Sequence, residues 1–535
     1  MFTLMNHIEL FAGCGGLSLG LETAGFKLLM ANELSPMASE SFAYNILGTD
    51  LRNKKNIDKV FWISSQYPKD RMDERLIENP LDATGLHSNH FSDLEIKKHN
   101  NEELKRSLWV GSITDLNNML SKKGSPLSSI LKNGFGDGSV DLVSGGPPCQ
   151  SFSMVGLRDH SNNRNKLPWE FAKFVESVQP KIVLLENVSG ILRPFRLGDK
   201  KVHAWFEVAK TFAKVGYIPL CLHVNAKYIG APQNRPRFLM LALRQDIYRG
   251  VKNSSADQEL LNALLPSEQL FNKIQKGINP SFGCIKYFDI EKDKTLFAGN
   301  TLSPLFTHPK PKWVNVKEAI DDLHKDDDNT GSYVNYINRK FYNKSKLPLN
   351  KWLNHELRKN GHVVRARFRL YQVASKLEKE ISQEIINHIR SRGSNNISQK
   401  AIKLLQQHWL LGEDGKRNDN IGSSDLRLLL EKLYSSKHSQ TVLNANKPAP
   451  TVLGSPDDTG HYHESEATQR TLTVRELARI QSFPDWYEIK SKVTTGGIRR
   501  RFEVPQYTQI GNSVPPLLGL ALGLVCSKIL NGHEH

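Results

Sequence analysis

Three reactive side-chain types stand next to short apolar runs in this chain. Cys149 lies within Gly145-Gly146-Pro147-Pro148-Cys149-Gln150-Ser151-Phe152-Ser153, directly after the apolar run Val140 to Ser144. Pro147 and Pro148 cannot continue a strand, so the thiol is predicted at a strand's carboxyl end, the edge where open α/β sheets bind ligands. An unpaired cysteine is usually an inert core residue. A rigid glycine- and proline-bounded loop is instead how a nucleophile is displayed. Glu186-Asn187-Val188 closes a second apolar run, Lys181 to Leu185, 37 residues after the cysteine. Two strand ends would then deliver a thiol and a carboxyl to one crevice. Gln233-Asn234-Arg235-Pro236-Arg237 adds two guanidinium groups before another strand, and nearby positive charge enlarges a thiol's thiolate fraction. Covalent addition by a thiolate, assisted by a carboxyl and a cation, is the chemistry these types support. Taken singly, such a glutamate is more often a helix N-terminal or salt-bridge residue, and the arginines read as phosphate contacts or a solvated turn.

A second constellation points to a nucleotide-like ligand. Phe11-Ala12-Gly13-Cys14-Gly15-Gly16-Leu17 opens a helix ending near Ala24-Gly25-Phe26, and such glycines let backbone approach a ligand closely. Glu33 lies 20 residues past Gly13, after the next strand, where a carboxylate accepts hydrogen bonds from ribose hydroxyls. A dinucleotide and another adenosyl ligand both fit this loop. Ser18, in place of the third glycine of the dinucleotide fingerprint, favours the second.

The elements that must position these residues are short strands alternating with amphipathic segments: His7 to Phe11, Lys27 to Asn32, Val140 to Ser144, Lys181 to Leu185, Ile218 to Val224 and Arg237 to Leu243. That alternation predicts an α/β doubly wound sheet. The last two strands, joined by the turn-rich Asn225 to Pro236, are expected to pair antiparallel at one end. Residues 51–108 break the pattern as a polar insertion with no assigned role. Residues 244–450 are irregular and rich in Asn, Lys and Ser; a helix near Thr473 to Ser482 and a buried C-terminal helix follow.

The Pro-Pro-Cys-Gln core resembles the catalytic motif of the DNA (cytosine-5)-methyltransferases. The Phe-x-Gly-x-Gly loop, Glu-Asn-Val, Gln-x-Arg-x-Arg, the Arg475 to Asp485 helix and Gln509-Ile510-Gly511-Asn512-Ser513-Val514-Pro515-Pro516 resemble further motifs in the family's order. The resemblance implies a mostly parallel sheet of the S-adenosylmethionine-dependent methyltransferase type with a smaller irregular target-recognition domain. Its divisions would be a catalytic domain at 1–244, a recognition region at 245–450 and a return segment at 451–535 whose helix packs beside the glycine loop. It implies S-adenosylmethionine as cofactor, held by Phe11, Gly13, Gly15, Gly16 and Glu33, with Asn512 and Ser513 closing the pocket. Catalytic roles fall to Cys149 as nucleophile, Glu186 on the cytosine, and Arg235 and Arg237 in support. Two positions depart from the pattern. Ser112 stands where the family places an adenine-contacting Asp, and Leu34 where it places an aromatic residue. The segment Ser151 to Lys166 is expected to close on DNA around a flipped-out cytosine.

The chain has 535 residues and a net charge of +17, a surplus that suggests a polyanionic partner. Eleven Lys and Arg residues fall between Arg339 and Lys376 against the single acid Glu356. With Tyr333, Tyr336, Phe341, Tyr342, Trp352, Phe368 and Tyr371 interleaved, the segment suits phosphate contact and base reading; Arg365, Arg367 and Arg369 read alternatively as one solvated strand face. Double-stranded DNA is the partner the resemblance implies, with a cognate restriction endonuclease acting on the same site and a monomeric enzyme. Five scattered cysteines and no secretory pattern predict a cytoplasmic protein with neither metal site nor membrane span. An RNA methyltransferase of the same family and a catalytically silent DNA-binding regulator are the alternatives; a nicotinamide dehydrogenase would leave the cysteine motif unexplained.

Overall fold

Strands form where the apolar runs stand. This computed structural model describes residues 5–53, 57–85, 89–94, 99–122, 125–148, 166–197, 200–254, 257–324, 330–343, 352–391, 396–455 and 459–532. Cys149 and the segment 151–165 lie outside them. Among the described residues one large sheet contains β1 (Met5–Leu10), β2 (Phe26–Glu33), β3 (Val60–Trp62), β4 (Ser107–Val110), β5 (Leu142–Gly145), β6 (Ile182–Val188), β7 (Tyr217–Asn225), β8 (Pro236–Arg244) and β9 (Phe288–Asp289). The order across the sheet is β9-β7-β8-β6-β5-β1-β2-β4-β3. Every neighbouring pair is parallel except those of β8, which runs antiparallel to both β6 and β7. The β7–β8 hairpin is thus the expected antiparallel pair, with the two-residue β9 beyond it.

Helices cover both faces, so the central strands are buried on both sides and read as continuous apolar runs. On the carboxyl side of the strands α1 (Gly16–Thr23) follows β1 and α2 (Pro36–Phe42) follows β2. The Ser35 side chain caps α2 at the Ala38 N–H, and Pro36 fits the first turn, where no N–H is needed. Ser112 likewise caps α3 (Ile113–Ser121) after β4. Further along, α4 (Leu167–Val178), α5 (Ala204–Lys214) and α6 (Gln258–Gln275) pack on the sheet.

The order reverses between β1 and β5. From β1 the chain moves outward through β2 to β4, and from β5 outward the other way to β6. Leu10 pairs with Gly145 at this switch point. The loops leaving the two strands therefore part there and open the crevice in which doubly wound sheets take their ligands.

The chain after the sheet divides between two cores. Residues of 248–341 pack into the same core as the sheet, together with 443–530. A separate core gathers Ala366, Phe368, Ile385, Ile402, Leu426, Leu430 and their neighbours. It is built by α7 (His362–Ala374), α8 (Lys379–Arg390), α9 (Gln399–Leu405) and α10 (Ser423–Lys432).

The chain then returns to the sheet through α11 (Val474–Ile480), α12 (Gln506–Asn512) and α13 (Pro516–Asn531). The Thr473 side chain and Glu476 cap α11 reciprocally. The buried α13 lies directly on α1: a methyl group at Gly20 would come within 2.4 Å of the Leu520 nitrogen. No single described helix is long and apolar enough to cross a membrane.

Candidate active site

The β1 loop climbs out of the sheet through left-handed backbone at Phe11 (φ 55°), Gly13 (φ 56°) and Gly15 (φ 92°). The Gly15 N–H closes the turn on Ala12 O at 3.0 Å. Above Gly13 there is open space, for a methyl group there would meet nothing within 4 Å. Gly16 is the opposite case. A methyl group on it would stand 2.2 Å from Val514 O and 2.3 Å from Ser513 Oγ, so the return segment closes on the glycine loop at that point. The Tyr487 hydroxyl donates to Cys14 O, and the Cys14 thiol to Gln509 O, fastening the loop from the same side.

Glu33 ends β2 facing this loop. Its carboxylate accepts the Gly13 N–H and the Ser35 N–H, each at 2.8 Å. Burial raises its pKa, and these backbone donors oppose the rise. The open space over Gly13 beside a carboxylate held by backbone fits the ribose end of an adenosyl ligand. Ser112 sits at the end of β4, the strand next to β2, and its hydroxyl accepts the Thr114 N–H at 3.2 Å. Ser513 is buried and its hydroxyl donates to Val514 O at 3.1 Å, while Asn512 beside it is exposed.

The second half of the crevice is built from β5, β6 and β8. Glu186 on β6 is buried, and the Arg237 Nε donates to its Oε1 at 2.8 Å. The other carboxylate oxygen lies against Gly146, where an added methyl group would come within 3.0 Å of Oε2. The Asn187 side chain donates to Pro147 O at 3.0 Å, which ties the Gly-Gly-Pro-Pro turn to β6. Glu186 is thus held between a guanidinium and the backbone that leads, two residues past Pro147, to Cys149.

The paired arginines of this motif separate. Arg235 is turned to the return segment, donating to Val452 O at 3.0 Å, Gly511 O at 2.8 Å and Ser513 O at 3.0 Å. It is a tie that holds Gly511 to Ser513 against β8. Of the two, Arg237 is the one paired with Glu186.

Burial works against the thiolate at the other cysteines. Burial pushes the Cys14 thiol up to about 12 and Cys526 to about 12, and raises Cys221 and Cys284 as well.

Within the basic segment, Arg367 and Arg369 depart from both readings given to it. Arg365, Arg367 and Arg369 lie on a helix, α7, and the latter two are buried. Arg367 donates to Leu433 O, Tyr434 O and Gln440 Oε1 at 2.7 to 3.1 Å. Arg369 donates to Trp409 O, pairs with Glu464 at 3.3 Å and lies 3.9 Å from the centre of the Trp409 ring. Phe368 and Tyr371 are core residues of the same helix. These cations satisfy carbonyl groups inside the second core and are not offered to phosphate.

Sequence reasoning missed the Tyr487 tie and the grip of Arg235, since neither side chain carries a local signal of its distant partner.

A doubly wound sheet with a glycine loop and carboxylate on one side of its switch point, and a buried carboxylate–guanidinium pair on the other, has the layout of a group-transfer enzyme with two ligand sites side by side. The family model of C-5 cytosine-specific DNA methylases matches residues 5–73 and 116–528, and the chain belongs to that family. It is a DNA (cytosine-5-)-methyltransferase. Among its relatives are the Type II methyltransferase M.DdeI of Desulfomicrobium norvegicum, 26% identical over 97% of this chain and 87% of that one, and the Type II methyltransferase M.Bpa9945I of Bacillus paralicheniformis, 24% identical over 99% of this chain and 100% of that one.

Proposed function

We propose that the enzyme methylates C5 of a cytosine in one short sequence of duplex DNA through a covalent adduct of Cys149. Protection of cytoplasmic host DNA from a cognate restriction endonuclease is the role that follows, supported by the Type II names of its relatives. The observation that carries the reading is the Glu186–Arg237 pair, seated against Gly146 beside the turn that leads to Cys149.

C5 of cytosine is too poor a nucleophile to be alkylated directly, so covalent catalysis is required. In our reading the Cys149 thiolate adds to C6, forming an S–C6 bond, while Glu186 delivers a proton to N3. The displaced π electrons make C5 enamine-like. S-adenosylmethionine, held by Phe11, Gly13, Gly15, Gly16 and Glu33 under Ser513 and Asn512, supplies an electrophilic sulfonium methyl group. Once C5 carries the methyl group it loses its proton to a base, the S–C6 bond breaks, Cys149 leaves as the thiolate, and N3 returns its proton to Glu186. Arg237 orients Glu186 and Arg235 holds the return segment. A stacked cytosine cannot reach these groups, so the base must leave the helix. Target reading is assigned to the recognition region, residues 245–450, with the compact core around 366–442 as its main body.

Bisulfite sequencing of plasmid from a methylation-free host tests the reading. Protected cytosines in one recurring sequence, absent with Cys149→Ala, are expected. Fully converted DNA from folded enzyme would overturn it in favour of RNA methylation or silent binding.

A further inference from the structure

Arg367 and Arg369 are enclosed in the second core, but exposed cations stand just past Glu186. Where β6 ends, a short helical turn, Ser189–Leu192, leads into a two-stranded hairpin of Phe195–Leu197 against Lys200–Val202. Residues 189–203 contain four Lys and Arg residues, Arg193, Arg196, Lys200 and Lys201, against the single acid Asp199. The side chains of Arg193, Arg196 and Lys201 are exposed, and among the described residues none of these three pairs with an acid.

Strand alternation sorts the two faces of the hairpin. Phe195 lies opposite Val202 and packs against the core of the sheet. Arg196 lies directly opposite Lys201, so both point the other way, into solvent. Like charges facing each other across a ladder are destabilising, because their β-carbons stand only about 5 Å apart. The field is felt nearby, where burial and then Lys201 lower the His203 pKa. An anion relieves such a pair, and a polyanion relieves all three cations at once.

The foot of the hairpin is fixed at the active-site edge. Ser189 Oγ lies 2.9 Å from His223 Nε2 on β7, and His223 Nδ1 lies 2.7 Å from Asp289 Oδ2 on β9. The Glu291 N–H bonds to the second oxygen of Asp289 at 2.9 Å. This row of hydrogen bonds crosses β8 and pins the turn three residues past Glu186. The hairpin is therefore braced on the edge that holds the Glu186–Arg237 pair, on the flank away from the glycine loop.

We propose that Arg193, Arg196 and Lys201 hold backbone phosphates of duplex DNA on the β6–β7 flank of the target cytosine. The proposal rests on the duplex-DNA reading of the active site given above. A cytosine seated at Glu186 brings the phosphates of its own strand to this edge. Contacts of this kind position the duplex and carry no sequence information.

Salt titrations of duplex binding by the full-length enzyme test it. The slope of log affinity against log salt should become shallower by about one for Arg196→Gln and by about two for Arg196→Gln combined with Lys201→Gln. Target and non-target duplexes should lose affinity by the same factor. Arg249→Gln is the charge-matched control. Arg249 is exposed on the helix Gln245–Ser254, which leaves β8 at the opposite edge of the sheet, where Arg244 N–H bonds to Lys181 O. Its slope should stay native. Unchanged slopes in the hairpin variants, or an equal change in Arg249→Gln, would overturn the proposal. A loss confined to the target sequence would also overturn it, by making the hairpin a base reader. Failure of the native enzyme to bind duplex DNA would instead remove the duplex reading itself.

Discussion

Two glycines three positions apart should fail in opposite ways. At Gly16 an added methyl group would meet Val514 O at 2.2 Å and Ser513 Oγ at 2.3 Å, against an ordinary contact of 3.4–4 Å. The return segment must then retreat by more than an ångström. It cannot do so freely, because Arg235 holds Gly511 O and Ser513 O at 2.8 and 3.0 Å. Overpacking of this kind costs about 3 kcal/mol, the upper end of the usual range, since the opposing atoms are backbone or fixed to it. At Gly13 the methyl group meets nothing, so the cost is that of a left-handed alanine at φ 56°, about 1–2 kcal/mol. The same methyl group, however, projects into the space the ligand needs. Gly16→Ala should therefore lose the more stability in denaturant titration, while Gly13→Ala should lose the more affinity for S-adenosylhomocysteine in calorimetry. A Gly13→Ala protein that binds normally, or a Gly16→Ala protein as stable as the native one, would refute the placement of the return segment over the loop and of the ligand over Gly13.

Other substitutions separate chemistry from architecture. Glu186→Gln should cut the rate of methyl transfer by about 10²–10⁴-fold, the usual contribution of a positioned proton donor, in single-turnover assays. It should also destabilise the protein by about 3 kcal/mol, because Arg237 is left buried beside a neutral amide; native-like turnover would contradict its role. Glu9, buried on β1 beside the Ser18 hydroxyl, has its pKa pushed up to about 8, chiefly by burial, with Ser18 opposing and Glu33 adding to the rise. The folded state then holds a proton that the unfolded state releases above about pH 4.5, so this group's contribution to stability falls as pH rises from about 4.5 to about 8. Glu9→Gln should gain on the native protein across that window, by on the order of 3 kcal/mol in denaturant titrations, and equal stability at pH 5 and pH 8 relative to native would count against it. Arg367→Ala should cost about 2–3 kcal/mol of stability through its lost carbonyl contacts. It should leave the salt dependence of DNA binding unchanged; a slope reduced by about one would mean that the guanidinium meets a phosphate after all.

The parts of the fold legible in the sequence are those whose signal is local. Strands buried on both faces are apolar throughout, so runs such as Ile218 to Val224 and Arg237 to Leu243 reappear as β7 and β8 with a residue or so added at each end. The glycine loop and the Gly-Gly-Pro-Pro turn were legible because only those residues suit the backbone there. Short edge strands were not: β3 has three residues within a polar stretch and β9 has two. Charge density misled where cations are buried. Arg367 and Arg369 lie roughly 200° apart around α7, yet both are enclosed because that helix runs through the second core. A guanidinium with several carbonyl partners is stable there, and nothing in its neighbours along the chain announces those partners.

The central claim is that a thiolate at Cys149 attacks a cytosine held beside Glu186 and Arg237. Incubation with cofactor and duplex DNA carrying 5-fluorocytosine at the target position tests it most directly. Fluorine cannot leave C5 as a proton does, so the methylated adduct should persist through denaturation, with the combined mass of protein and methylated strand and a DNA-linked peptide containing Cys149. An enzyme that methylates ordinary DNA yet forms no such adduct, or forms it at another residue, would contradict the account.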